Sequence, residues 1–320
     1  MRLRLIIIGR NTREFIDELF ESIGKQRGGD DVFVDWTDDA SDDRSFERAQ
    51  SWLRNPEFMP DDIELLKNKT RMGGCHNVWR AIQRSDPDRD VCMPIGGDDK
   101  LKEGALERLW NVYQNPEVWC TYGNFENSDG RITNKICEWP APYATRPPKE
   151  FIFAPFTFRA WLGQKLCERD LLLAGSFFPA SADTAMNIPI VEMAGPERAK
   201  FIEEKWYWRR IHPGNDGWVD PLHQHYCTYR ANQKPKYGRI GSRDEVPTRS
   251  GHVLPYGMII MPNEPFPRWL ALDEWSANEV ALGHVMPVDS SLDFKRSPKN
   301  PEALWDGEYI NADGERKKLL

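Results

Sequence analysis

The sequence predicts an α/β fold built on a mostly parallel sheet with helices on both faces. Three observations carry this. Strand-like apolar runs alternate with helix-like segments through the first 125 residues, and short loops join them. The polar clusters Arg10-Asn11, Asp38-Asp39 and Asp98-Asp99 also fall at the carboxyl ends of strand-like runs, where ligands bind in open parallel sheets.

Leu3 to Ile8 is a short apolar run that closes on Gly9-Arg10-Asn11, the pattern of a buried parallel strand entering a loop. Thr12 is placed to cap a helix whose Phe15, Ile16, Leu19, Phe20 and Ile23 share one face, with Gly28-Gly29 ending it. Val32-Phe33-Val34 is a second strand, leading to Asp38-Asp39-Ala40-Ser41-Asp42-Asp43 and a helical pattern at Phe46, Ala49, Trp52 and Leu53. Gly73 to Ile82 reads as a helix and Val91 to Ile95 as a third strand, followed by Gly96-Gly97-Asp98-Asp99. Leu106, Leu109, Trp110 and Tyr113 mark the next helix, and Val118 to Tyr122 a fourth strand.

Beyond residue 125 the pattern changes. Residues 138–160 are rich in Pro and aromatics and read as an excursion covering the site, followed by an amphipathic helix from Phe158 to Cys167. Ser181-Ala182-Asp183 opens a helical segment ending at Gly195-Pro196, with Pro189 implying a kink or restart. Eight prolines between 247 and 301 and weak periodicity make the region after about 221 an extension with little regular structure. The expected organisation is one domain over 1–220, with a ligand-binding half at 1–125 and a second half at 126–220, then a C-terminal extension at 221–320.

Composition narrows the function classes. The chain has 320 residues, 29% of them charged and 40% hydrophobic, with a net charge of −7, which disfavours nucleic-acid binding by bulk charge. No apolar run approaches the roughly 20 residues a membrane span needs. The N-terminus lacks a signal-peptide pattern, so the expected location is the cytoplasm. The six cysteines show no metal-type spacing and read as buried reduced thiols. Residues 196–250 carry 11 Lys/Arg against 7 Asp/Glu, with Trp206, Trp208, Tyr226, Tyr229 and Tyr237 among them. That bias fits a nucleic-acid groove and equally a solvated face.

Asp98-Asp99 supports two readings. Adjacent carboxylates repel unless solvated or neutralised, and carboxylate oxygens suit Mg²⁺ or Mn²⁺. The pair also serves as a solvated turn capping the next helix, and Asp38-Asp39 carries the same ambiguity.

Taken in order, the strand ending in Arg-Asn, Asp-Asp-Ala-Ser-Asp-Asp, Gly-Gly-Cys-His-Asn on a helix and Gly-Asp-Asp-Lys-Leu resemble an inverting glycosyltransferase of family 2 with the GT-A fold. Thr121-Tyr122-Gly123, Thr157-Phe158-Arg159, Asp183, Pro189, Glu192, Ala194-Gly195 and Trp206-Tyr207-Trp208 leading to Asn215-Asp216 resemble a subgroup common in bacteriophages and bacteria. The resemblance covers about residues 1–217. It implies that Gly9, Arg10 and Asp39 contact a donor nucleotide and that Arg71 neutralises donor phosphate. Asp98 holds a Mn²⁺ or Mg²⁺ ion with Asp99 beside it, and Asp183 is the general base. Glu192, nine residues beyond Asp183, falls on the opposite helix face and reads as a structural partner. Trp206, Trp208 and His212 fall on the acceptor side, His212 reading either as a surface residue or as a group closing over the diphosphate.

The implied donor is a nucleoside-diphosphate sugar, and the implied acceptor a glycan, a lipid-linked sugar or a hydroxymethylated pyrimidine in DNA. Two positions depart from the family pattern. Gly96 stands where an Asp is usual and Phe156 where an Arg is frequent, which implies altered metal or donor contacts. A nucleotidyltransferase needs a longer Gly-rich loop than Gly9-Arg10-Asn11-Thr12. A non-catalytic carbohydrate- or nucleic-acid-binding protein on a degenerate GT-A fold is the alternative.

Overall fold

The structure, a computed structural model, describes residues 1–26, 31–54, 62–131, 155–173, 175–215, 219–232 and 234–250, and five short strand segments beyond. The chain runs β1 (Arg2–Gly9), α1 (Ile16–Gly24), β2 (Val32–Asp38), α2 (Ser45–Trp52), β3 (Asp62–Lys67), α3 (Gly74–Arg84), β4 (Asp90–Gly96), β5 (Lys100–Leu101), α4 (Ala105–Tyr113) and β6 (Cys120–Asn127). Then follow β7 (Phe156–Arg159), α5 (Ala160–Gly163), β8 (Leu172–Leu173), β9 (Ser176–Phe177), α6 (Ala182–Ala194), β10 (Ala199–Arg209), α7 (Pro221–Asn232), β11 (Lys236–Tyr237) and β12 (Arg249–Ser250).

Eight strands form one sheet in the order β3-β2-β1-β4-β7-β6-β10-β5. β3, β2, β1 and β4 are mutually parallel, as is β6 with β10, while β7 and β5 run antiparallel to their neighbours. Strand β1 shows why both faces are covered. Leu3, Leu5 and Ile7 point into a core shared with α1 and α4, and Ile6 points into a second core shared with α3, α5 and α6.

The second face also carries charge. Arg4 is 3% exposed and donates to Asp35 Oδ2 at 2.6 Å, and Arg84 reaches the same carboxylate at 3.0 Å. Asp90 takes Arg2 at 2.7 Å, and the Arg2 and Arg4 guanidinia lie over the Phe33 ring at 4.8 and 4.4 Å. These ions are paired across β1, β2 and β4, as burial requires.

Several sequence expectations are corrected. Helix α1 begins at Ile16, because Thr12 instead opens a turn in which the Phe15 amide donates to the Thr12 carbonyl. Strands β3 and β10 were not anticipated: Ile63-Glu64-Leu65-Leu66 is short, and acidic and basic residues interrupt 199–209. The amphipathic helix expected over Phe158–Cys167 is a strand and one helical turn, since Phe156 and Phe158 are core residues between β4 and β6. Helix α6 runs unbroken through Pro189 and is buried nearly all round. The excursion over 138–154 lies outside the described residues.

The expected boundary at 220 does not end the core. Helix α7 packs on α6, with Ser181 Oγ and Thr228 Oγ1 2.7 Å apart, and Cys227, Ala231, Tyr237 and Ile240 join the core around α6. Glu192 is the structural partner expected of it, its Oε2 accepting from the Tyr237 amide at 2.9 Å. Burial pushes the Cys75, Cys92 and Cys227 thiols up to about 12.

Asp35→Ala leaves Arg4 charged and enclosed without its closest partner. It is expected to cost about 3–5 kcal/mol in chemical denaturation; a loss below about 1 kcal/mol would show that water reaches Arg4.

Candidate active site

Register puts the tips of the parallel strands at one level. Gly9 on β1 pairs with Asp38 on β2, Asp38 pairs with Lys67 on β3, and Ile8 lies opposite Gly96 on β4. Backbone bonds extend past the strands: the Asp39 amide donates to the Gly9 carbonyl, the Asn68 amide to Asp38 and the Gly97 amide to Ile8, each at 2.9 Å. The β1 and β4 loops nearly touch, since a Cβ on Gly97 would lie 2.8 Å from the Gly9 Cα. This is the crevice where strand order reverses, with β1 between β2 and β4.

The loops around it hold unfavourable backbone. Asn11, Ala40, Arg44 and Ser181 have φ of 54°, 60°, 68° and 57°. Left-handed non-glycine residues cost energy and gather at functional loops; here three follow β1 or β2 and the fourth precedes α6.

Asp39 is buried, and its carboxylate fastens the loop before α3. Oδ1 accepts from the Met72 amide at 2.8 Å and Asn68 Nδ2 at 2.9 Å, and Oδ2 from the Gly73 amide at 2.9 Å. Desolvation raises its carboxyl pKa, but the donors from Met72, Asn77, Asn68 and Gly73 together hold it below the ordinary value. Three of the chain's own N–H groups thus share the two Asp39 oxygens, Oδ2 accepting one of them.

Asp98 lies beyond β4 and is 23% exposed at its side chain. Its Oδ2 faces His212 Nε2 at 2.9 Å and accepts from Asn215 Nδ2 at 3.0 Å. The Gly214 amide donates to His212 Nδ1 at 3.2 Å, so the tautomer that satisfies both contacts carries its proton on Nε2 and donates it to Asp98. His212 is therefore not a free surface residue.

Asp99 faces inward. Tyr207 donates its hydroxyl to Oδ2 at 2.6 Å and the Arg210 amide donates to Oδ1 at 2.8 Å. Desolvation, then the adjacent Asp98 charge, push the Asp99 carboxyl up to about 7. With both oxygens engaged it is corrected from metal ligand to anchor. Gly96 explains its own departure from the family pattern, since a Cβ there would sit 2.7 Å from Asp98 Oδ1 and 2.9 Å from Asp99 Oδ2. Among the described residues no three His, Cys, Asp or Glu side chains converge on a metal position. The donor that remains, the Asp98 carboxylate oriented by His212 and Asn215, suits a cation that takes its other ligands from a diphosphate and water.

Asp183 stands in the first turn of α6, its Oδ1 accepting from the Thr184 amide at 2.8 Å. Its charge is felt by the Cys75 thiol in the first turn of α3. Thus Asp39 and Asp183 flank the α3 N-terminus, while Asp39 and Asp98 flank Gly9. Arg10 and Arg71 are exposed at this edge.

Two tryptophans are corrected. Trp206 is 0% exposed and belongs to the core under α4, so it offers no stacking face. Trp208 is covered by cations, with Lys100 Nζ 4.1 Å and Arg210 Cζ 4.9 Å from its ring centre. Asp216 lies outside the described residues, as do the side chains of Tyr226 and Tyr229. Tyr207, Asn68 and Arg210 are site residues that sequence reasoning missed; only Tyr207, inside Trp-Tyr-Trp, lay in a motif already singled out.

Because the Asp39 carboxyl lies below 3.8, the folded state binds that proton less tightly than the unfolded chain. The stability it confers is complete above about pH 4 and is lost as pH falls through the folded value. Asp39→Asn is expected to lower stability by about 2 kcal/mol at neutral pH, with the gap to wild type closing below about pH 3, read by thermal melts across pH.

Residues 5–162 match the family model described as Glycosyl transferase family 2. The sequence matches no curated protein. Among solved structures the fold is similar to TarS from S. aureus. The TarS 1-349 structure in complex with UDP gives a TM-score of 0.54 at 13% identity, covering 73% of this chain and 64% of that one. The one in complex with UDP-GlcNAc gives 0.51 at 13% identity, covering 72% and 65%. The chain thus spans slightly less than two thirds of those relatives. The likeness establishes a GT-A fold with its parallel sheet and flanking helices, and the family match establishes the class. Residues 5–162 form a glycosyl transferase family 2 domain.

Proposed function

We propose that this chain transfers a sugar, with inversion, from a nucleoside-diphosphate sugar to an acceptor hydroxyl. What supports this reading is Asp98 beside the crevice at Gly9, together with Asp183 at the start of α6, whose charge reaches the first turn of α3. Exposed Arg10 and Arg71 and the amide-rich start of α3 offer positive potential for the donor phosphates. Asp98 is the residue that would hold Mn²⁺ or Mg²⁺, with His212 orienting its carboxylate, and the ion's charge would stabilise the departing diphosphate.

In the transfer, the acceptor oxygen attacks the anomeric carbon from the face opposite the diphosphate. The acceptor proton passes to an Asp183 carboxylate oxygen as the bond from the anomeric carbon to the phosphate oxygen breaks. The nucleoside diphosphate leaves with that electron pair. A base in this role needs hydrogen-bond reach and a negative charge at the start of the reaction, and the N-terminal end of α6 favours negative charge.

A glycan or lipid-linked sugar is the acceptor favoured here over hydroxymethylated DNA. Of the aromatics that would have suited a nucleic-acid groove, Trp206 and Tyr237 are buried and Trp208 lies against two cations. Among the described residues no helix is long and apolar enough to cross a membrane, so a lipid-linked acceptor would be met at the membrane surface.

Incubation with a panel of nucleotide sugars and Mn²⁺ is expected to release nucleoside diphosphate. Asp98→Ala and Asp183→Ala should each lower kcat/KM by about 10²–10⁴-fold. Carbohydrate binding without release from any donor would instead support the non-catalytic reading. Salt-sensitive duplex binding at low ionic strength would restore DNA as acceptor.

A further inference from the structure

Arg210 makes three directed hydrogen bonds beside the crevice, and none belongs to the chemistry just described. Its amide donates to Asp99 Oδ1 at 2.8 Å, its Nε to the Asp98 carbonyl at 2.9 Å and its Nη2 to Glu18 Oε2 on α1 at 2.9 Å. The guanidinium lies 4.5 Å from the Phe15 ring centre and 4.9 Å from that of Trp208. Lys100 Nζ reaches the same Glu18 oxygen at 2.9 Å and lies 4.1 Å from the Trp208 ring centre. Phe15 in turn lies 5.1 Å from the His212 ring.

Downstream, residues 211–215 are held by short local bonds. The Ile211 amide donates to Ser128 Oγ, the His212 amide to Asn215 Oδ1, the Gly214 amide to His212 Nδ1 and the Asn215 amide to the His212 carbonyl. These bonds shape the loop; among the described residues, the Ser128 contact, the two bonds to Asp98, the Val219 amide on the Asn215 carbonyl and the Phe15 ring against His212 tie it to the rest of the molecule. Arg210 sits at its root, and its planar fork binds a carbonyl and a carboxylate in fixed directions, as a lysine cannot.

We infer that Arg210 is a positioning residue that brings His212 and Asn215 to Asp98 by bracing the 211–215 loop against Glu18 and the β4 turn. It touches neither donor nor acceptor in this role. Its consequence for turnover rests on the transferase reading, whereas its consequence for loop order does not.

The test is amide hydrogen exchange in the full chain, read on peptides covering 211–215, for wild type, Arg210→Gln, Arg210→Lys and Glu18→Gln. Glu18 lies on the exposed side of α1, so its variant removes one arm of the brace with the core intact. Exchange at 211–215 is expected to accelerate at least about tenfold in Arg210→Gln, and by a smaller factor in Arg210→Lys and Glu18→Gln, with peptides from β1 and β4 unchanged. The His212 imidazole resonances should lose their hydrogen-bonded shift in step. Donor KM in the same variants should rise about tenfold or more, with kcat changed less. Wild-type exchange at 211–215 in a folded Arg210→Gln protein overturns the inference. Accelerated exchange in a protein whose wild type turns over no nucleotide sugar upholds the brace and defeats the transferase reading instead.

Discussion

Two neighbouring carboxylates at the end of a buried strand set the terms for this site. Asp98 and Asp99 follow β4 so closely that their charges oppose each other, and the protein separates their surroundings. Asp99 turns inward to the Tyr207 hydroxyl and the Arg210 amide, where its ionisation is disfavoured. Asp98 turns outward to His212 and Asn215 and keeps a face toward the crevice. One carboxylate is thereby made architectural while the other stays partly exposed. Gly96 completes the arrangement, because any side chain there would meet both carboxylates.

The same separation links distant parts of the chain. Tyr207 and Arg210 lie at the end of β10, more than a hundred residues from the aspartates they hold, and Tyr207 also accepts from the Gly96 amide at 3.3 Å. The turn after β4 is therefore built by a strand that follows α6 in sequence. Since α6 also carries Asp183, its position and that of the Asp98 turn are set by successive elements of one segment. Residues such as Thr121 and Thr157 take no part in the site. With Tyr113 they form a buried hydroxyl chain that fixes β7 between β4 and β6.

A second polar layer lies below the crevice, on the face that α3 covers. Arg4, Asp35, Arg84 and Asp90 replace apolar contacts between β1, β2 and β4 with directional ones, and register is the property such contacts define best. A slip of one residue would break these pairs and move Gly9, Asp38 and Gly96 out of line. The strained loops at Asn11 and Ala40 rest on that alignment.

Much of this could be read along the chain. Strands β1, β2 and β4 and helices α2, α3 and α4 announce themselves through local periodicity, and the aspartates follow from their place after strands. Those signals are local, arising from side-chain alternation and turn chemistry within a few residues. What the chain could not reveal is which polar groups face one another. Trp206 and Trp208 read alike as candidate stacking surfaces, yet one is sealed under α4 and the other lies beneath two cations. His212 read more readily as a solvated imidazole and proves to be bonded to Asp98. Asp39 read as a ligand contact and proves to hold the Met72 and Gly73 amides. Each outcome depends on a partner 30 to more than 100 residues away, and hydrogen bonds of 3 Å are decided by how strands pair and helices pack. Sequence alone determined strands β1, β2, β4 and β6, the helices between them and the polar residue types that follow their ends. Tertiary structure decided which of those residues stay available to a substrate, because availability is what remains after the protein's own donors and acceptors have been satisfied.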